Sequence, residues 1–146
     1  MSDTTTAPAA ADAATQAALE RLNTVIDRLI APDGCPWDST QTPESLTEYV
    51  IEECHELVDA IRSGKTADMV EELGDVAFLI LLIGKLMARA GGPSLADALE
   101  VEAAKMVRRH PHVFSDTTYE NQSEQLKDWD RIKREEKAAA DAEGPK

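Results

Sequence analysis

VAFLILLIGKLMA, residues 76–88, is the stretch on which the fold turns. It forms the second half of a segment, about 67–90, with helical spacing of its apolar residues and an end at Gly91-Gly92-Pro93. Nearly every face of a helix over 76–88 is apolar, so such a helix needs cover on all sides. A bilayer is excluded: the longest apolar run, Val76–Ile83, lies between Asp75 and Lys85 and falls far short of the roughly 20 residues a membrane span needs. One small bundle of 146 residues does not easily surround it. The economical cover is another copy of the chain, which predicts an all-α helical bundle completed by dimerisation, as a homodimer or a dimer of dimers.

Helices flank this one on both sides. Leu19, Leu22, Val25, Ile26 and Leu29 predict a helix over about 12–30, broken by Pro32-Asp33-Gly34. DGCPWDSTQT, 33–42, reads as a loop, with Thr42 capping a helix over about 43–62 whose first position is Pro43 and whose stop is Gly64. Ser94 and Asp97 resemble a variant capping box for a helix over about 95–109, ended by Pro111. HPHVFSDTTY, 110–119, is irregular. A last helix, about 121–138, carries Leu126, Trp129 and Ile132 on one side. One domain over 16–138 is expected, between a disordered tail, 1–15, and a flexible tail, 139–146.

Fifteen Lys and Arg against 28 Asp and Glu give a net charge of −13, which repels nucleic-acid polymers and anionic membranes. The start, MSDTTTAPAAADAATQ, has no basic or apolar leader pattern, and a cytoplasmic protein is expected. Cys35 and Cys54 form no CxxC and read as reduced thiols. An anionic ligand would need a bound cation or a local basic cluster.

Acidic residues concentrate in YVIEECHELVDAI, 49–61, and EELGD, 71–75. Glu53 and Glu56 share one helical face, as do Glu72 and Asp75 one helix later, and a short turn at Gly64 would make the two pairs face each other. Leu57, Val58 and Ile61 border the first pair, and Val76 and Leu79 the second, so the carboxylates sit at the edge of the core. The alternative is an ordinary solvated helix surface. Two carboxylates about 5 Å apart repel by about 3 kcal/mol at an effective dielectric near 20, so such a cluster takes up either a cation or protons. Oxygen-only donors suit Mg²⁺ or Mn²⁺, and Mg²⁺ commonly shares its sphere with phosphates. Gly74 inside the second pair fits a close backbone approach. Glu52 and His55 form one ExxH of the di-iron type, but neither His110 nor His112 supplies the second copy.

GCPWDSTQT (34–42), the EExxE of Glu52, Glu53 and Glu56, the ExxD of Glu72–Asp75, KMVRRHPHVF (105–114) and WDRIK (129–133) occur in the order of a known family. The chain resembles the MazG-like nucleoside triphosphate pyrophosphohydrolases over about 20–135. The resemblance implies an all-α, dimer-based fold that converts a nucleoside triphosphate and water to the monophosphate and pyrophosphate with Mg²⁺, in nucleotide-pool house-cleaning. It makes Glu53, Glu56, Glu72 and Asp75 the metal ligands and Glu52 a supporting group or base, with Glu53 beside it in catalysis. It makes Lys105 and Arg109, with Arg108 beside them, phosphate contacts, and places Trp129 and Lys133 near the nucleotide. A metal-held or Glu-oriented water would attack the α-phosphorus in line. The last-turn cations also fit a plain helix-dipole role. Trp129 reads equally as core anchor or base platform, Trp37 as loop packing, His110 and His112 as structural, and Asp59 as a surface or ion-pair residue. A phosphoribosyl-ATP pyrophosphohydrolase and a non-catalytic helical module with a structural cation remain the alternatives.

Overall fold

The structure is a computed structural model and describes residues 6–143. Among the described residues the secondary structure consists of seven α-helices and one 3₁₀ turn, and no strand occurs. The all-α expectation holds. The chain divides into two compact units after Leu95, so the stretch read as one domain comprises both.

In the first unit α1 runs Thr6–Leu29. It starts earlier than expected: residues 6–15 of the expected tail are helical, because their alanine-rich sequence has high helix propensity even where its residues from 9 to 20 are all exposed. Residues 1–5 of that tail lie outside the described residues. Downstream, Ile26 is fully buried. Past Leu29 the chain folds back on the helix end, with Cys35 N–H donating to Leu29 O at 2.8 Å. A Cβ on Gly34 would lie 2.3 Å from Leu29 O and 2.4 Å from Arg28 O, so only glycine passes here.

The expected loop 33–42 contains one helical turn, α2 (Pro36–Ser39), with proline in its first turn. Thr42 caps the next turn as expected: Ser45 N–H donates to Thr42 Oγ1 at 3.2 Å and Thr42 N–H to Ser45 Oγ at 2.9 Å. The capped turn is 3₁₀, Glu44–Leu46, and α3 begins only at Thr47 and ends at Ser63. Gly64, at φ 71°, takes the left-handed C-cap, and α4 (Thr66–Arg89) comes directly after it as the second arm of a helical hairpin packed on α3.

Leu79, Leu81, Leu82 and Leu86 of α4 join Ile26 and Leu46 in the buried core. A Cβ on Gly84 would come within 2.8 Å of the Leu95 Cβ, which explains a glycine inside this apolar helix. Lys85 ties α4 to α1 through Asp27 at 2.6 Å. Arg89 donates to Ile30 O and Ser39 O at 3.2 and 3.0 Å, fastening the loop between α1 and α3. Apolar residues remain exposed: Leu73, Ile80 and Met87, each two turns apart on α4, and Ile51 and Val58 on α3.

The second unit contains α5 (Leu95–Arg109, entered from the first unit), α6 (Pro111–Phe114) and α7 (Gln122–Ala142). The irregular stretch after Arg109 thus includes a helical turn begun by Pro111. Asn121 caps α7, its Oδ1 accepting from Glu124 N–H at 3.0 Å, and Ile132 is buried. The expected flexible tail from 139 is helical to Ala142, continuing the Ala138–Ala140 run, and 144–146 lie outside the described residues. No helix among the described residues is long and apolar enough to cross a membrane.

Candidate functional site

The α3/α4 hairpin brings three of the four expected metal ligands together. Glu53, Glu56 and Glu72 each offer a carboxylate oxygen, and these oxygens all lie within 4.8 Å of one another. Helical spacing puts Glu53 and Glu56 on one side of α3, and the tight Gly64 turn sets Glu72 of α4 against them. Oε2 of Glu53 and Oε2 of Glu72 are buried without a hydrogen-bond partner, although a buried polar atom is ordinarily satisfied.

The electrostatics match that crowding. Glu72 is pushed up to about 7, first by loss of water, then by the Glu56 charge and a hydrogen bond with Glu56, then by the charges of Asp75 and Glu53. Glu53 is also raised, by burial and then by Asp75, Glu56 and Glu52, while a hydrogen bond with Glu72 works the other way. Asp75 is exposed and stands outside the triad, yet its charge raises both neighbours. Glu52 is exposed on α3 beside Glu53. The triad is all carboxylate, and His55 is not part of it.

Asp59 and Asp68 line one groove with Glu56 and Glu72. Asp59 is exposed, as expected of a surface residue, and Asp68 is an addition to the expected set. Its place four residues before Glu72 is a legible signal, because Asp68, Glu72 and Asp75 recur at one-turn spacing. Trp37 does not pack into its loop as expected. It is about half exposed and stands edge-on to Tyr49, with centroids 5.5 Å apart, while Gln41 and Arg89 hydrogen-bond the backbone of the loop.

In the second unit Arg108 and Arg109 meet on Glu136. Arg108 Nε donates to Oε1 at 2.8 Å, while Arg109 forks, Nε to Oε1 at 3.3 Å and Nη2 to Oε2 at 2.9 Å. These bonds, that from Arg109 first, hold the Glu136 carboxyl down to about 2. Lys105 is paired one turn back with Glu102 at 2.5 Å. The Arg109 guanidinium lies 5.7 Å from the Trp129 ring centroid, and His110 meets the same indole edge-to-face at 4.9 Å. Trp129 is therefore half-buried and held on more than one side. His110 Nδ1 lies 2.6 Å from Met106 O, a structural contact. Lys133 is exposed one turn beyond Trp129, in a groove with Asp130, Arg134 and Lys137. Glu136 is absent from the expected set, although it stands seven residues after Trp129 and so shares its face of α7.

Residues 41–114, which include the triad and the Lys105–Arg109 segment, match the MazG nucleotide pyrophosphohydrolase domain. The chain belongs to this family. It is 40% identical over 121 residues to a nucleoside triphosphate pyrophosphohydrolase of Escherichia coli K12, covering 82% of this chain and 46% of that protein. A nucleoside triphosphate pyrophosphohydrolase/pyrophosphatase MazG of Thermotoga maritima is 39% identical over 118 residues, 81% of this chain and 45% of the other. The chain thus spans less than half the length of these MazG relatives. The crystal structure of a MazG-related protein from Thermotoga maritima superposes with a TM-score of 0.67 at 30% identity, over 79% of this chain and 98% of that one.

Proposed function

We propose that this chain is a Mg²⁺-dependent nucleoside triphosphate pyrophosphohydrolase, converting an NTP or dNTP and water to the monophosphate and pyrophosphate. The observation that carries the reading is the Glu53/Glu56/Glu72 triad, with two buried oxygens that have no partner, inside the MazG-matching segment. Clustered carboxylate oxygens, two of them buried without a partner, fit a hard divalent cation, Mg²⁺ with Mn²⁺ as substitute. Glu53, Glu56 and Glu72 would hold it, with Asp75 adding charge at the rim. Bound there, Mg²⁺ would neutralise the cluster and polarise the phosphates of the substrate.

The remaining groups bind and orient. Arg108, Arg109 and Lys105 hold phosphoryl oxygens, giving an acidic protein the local positive charge a triphosphate requires. Trp129 and Lys133 flank the nucleoside. Glu52, exposed beside Glu53, takes the proton of the attacking water as its oxygen bonds to the α-phosphorus and the bond to the pyrophosphate oxygen breaks. The protein forms no covalent intermediate. Positioning and charge do most of the work.

The exposed stripe of Leu73, Ile80 and Met87 on α4, with Ile51 and Val58 on α3, supports a homodimer or dimer of dimers. The setting is nucleotide-pool house-cleaning in the cytoplasm, and the charge of −13 argues against a nucleic-acid polymer as substrate. The test is incubation with a broad panel of nucleotides, phosphoribosyl-ATP included, and Mg²⁺, with products separated by chromatography. Monophosphate with pyrophosphate, abolished in Glu53→Gln with the fold intact, is the expected result. Orthophosphate as product, or no turnover across the panel, refutes it.

A further inference from the structure

Arg108 and Arg109 are consecutive on α5, so the helix alone turns their side chains about 100° apart. One carboxylate from α7 draws them onto a common centre. Oε1 of Glu136 accepts from both Nε atoms and Oε2 from Nη2 of Arg109. Of the five N–H groups of Arg109, the fork occupies two, on the Nε–Nη2 edge, and leaves those on the opposite end directed away from the carboxylate. The Trp129 ring lies 5.7 Å from the same guanidinium. Arg109 is thus held along one edge by Glu136 and lies over the indole. Only 18% of its side chain and 19% of that of Glu136 is exposed, so the fork is held in partial shelter from water. Within the fork itself two cations face one anion, and Glu102 also acts on Arg109.

We propose that Glu136 is a positioning residue for polyphosphate: it holds Arg108 and Arg109 together and aims their free N–H groups at neighbouring phosphoryl oxygens. The proposal rests on the assignment of these arginines to phosphate in the proposed function. Unlike Arg109, Glu136 touches no ligand itself and acts through the guanidinium.

The experiment measures binding of inorganic tripolyphosphate with Mg²⁺ by calorimetry, alongside kinetics with the best nucleotide of the panel. A charge-assisted fork fixes both the plane and the reach of the guanidinium, so its loss in Glu136→Gln is expected to weaken tripolyphosphate binding about tenfold. KM should rise in step while kcat holds within about twofold, the pattern of lost uniform binding rather than of a damaged fold. Glu136→Asp, which keeps the charge and sets it back by one methylene, should recover part of the loss. In an Arg109→Ala background Glu136→Gln should add little, because the group it acts through is gone. Unchanged or tighter binding in Glu136→Gln overturns the proposal, the tighter case marking the carboxylate as a competitor of phosphate. Full additivity with Arg109→Ala overturns it too, as does a wild type that binds no tripolyphosphate. If Glu136→Gln fails to fold, Glu136→Asp carries the comparison, with weakened binding expected and unchanged binding overturning. A wild type that binds tripolyphosphate in a Glu136-dependent way but hydrolyses no nucleotide sinks the enzyme and spares the positioning role.

Discussion

Cation binding at the triad should release protons, by an amount set by Glu72. With its carboxyl pushed up to about 7, Glu72 carries about nine-tenths of a proton at pH 6, half at pH 7 and a tenth at pH 8. A cation needs the ionised carboxylate, so Mg²⁺ binding expels that fraction, and the affinity should fall about tenfold between pH 8 and pH 6. Glu53, raised as well, adds to the release in the same direction. The assay is calorimetric titration of metal-free protein with Mg²⁺ at each pH, in pairs of buffers of different ionisation enthalpy. Glu72→Gln should remove most of the release. Stability of the metal-free protein changes with its own sign: a raised carboxyl binds more protons folded than unfolded, so the contribution is full below its ordinary 4.5 and is lost as pH rises through about 7. Glu136 and Asp128, both lowered, stay ionised from pH 6 to 8 and do not oppose this trend. A release near zero at pH 6, or an affinity that does not change with pH, would show that the triad does not bind the cation as a crowded carboxylate cluster.

Other consequences concern the frame around the site. Leu82 is fully buried in the core, and Leu82→Ala should cost about 3 kcal/mol in urea unfolding; a loss below about 1 kcal/mol would mean that this core is not packed as described. Asn121→Ala removes the cap of α7 and should cost about 1 kcal/mol in the same assay, whereas Asn121→Asp should cost little. Ile80→Glu places a charge in the exposed stripe of α4 and should shift the molecular mass by light scattering from dimer or tetramer to monomer. A monomeric wild type refutes the role given to that stripe.

What the sequence disclosed and what it hid divide by the range of the interaction. Helix order came from local signals: Gly64 as stop, Pro111 as break and the apolar run 76–88 as core were all legible, and the structure keeps each of them. The start of the first helix and the end of the last were not. Alanine-rich segments at 6–15 and 139–142 have no apolar periodicity to declare them, so their helicity rests on propensity alone. For the same reason α2 escaped notice: a single turn built on Pro36 is too short to show a period. At the site, Glu53, Glu56 and Glu72 could be grouped from spacing because a hairpin with a tight turn leaves little freedom in register. Glu136 could not, because its partners lie 27 and 28 residues away in the chain and nothing local in α7 requires an acid there. Trp37 shows the same limit: a tryptophan beside Pro36 suggests packing within its loop, but it is about half exposed against Tyr49, and Arg89, about 50 residues on, fastens the loop. Local periodicity therefore locates the carboxylates that a cation would need, while the groups that orient the arginines and close the loop are supplied across the fold, where only three-dimensional structure brings them into view.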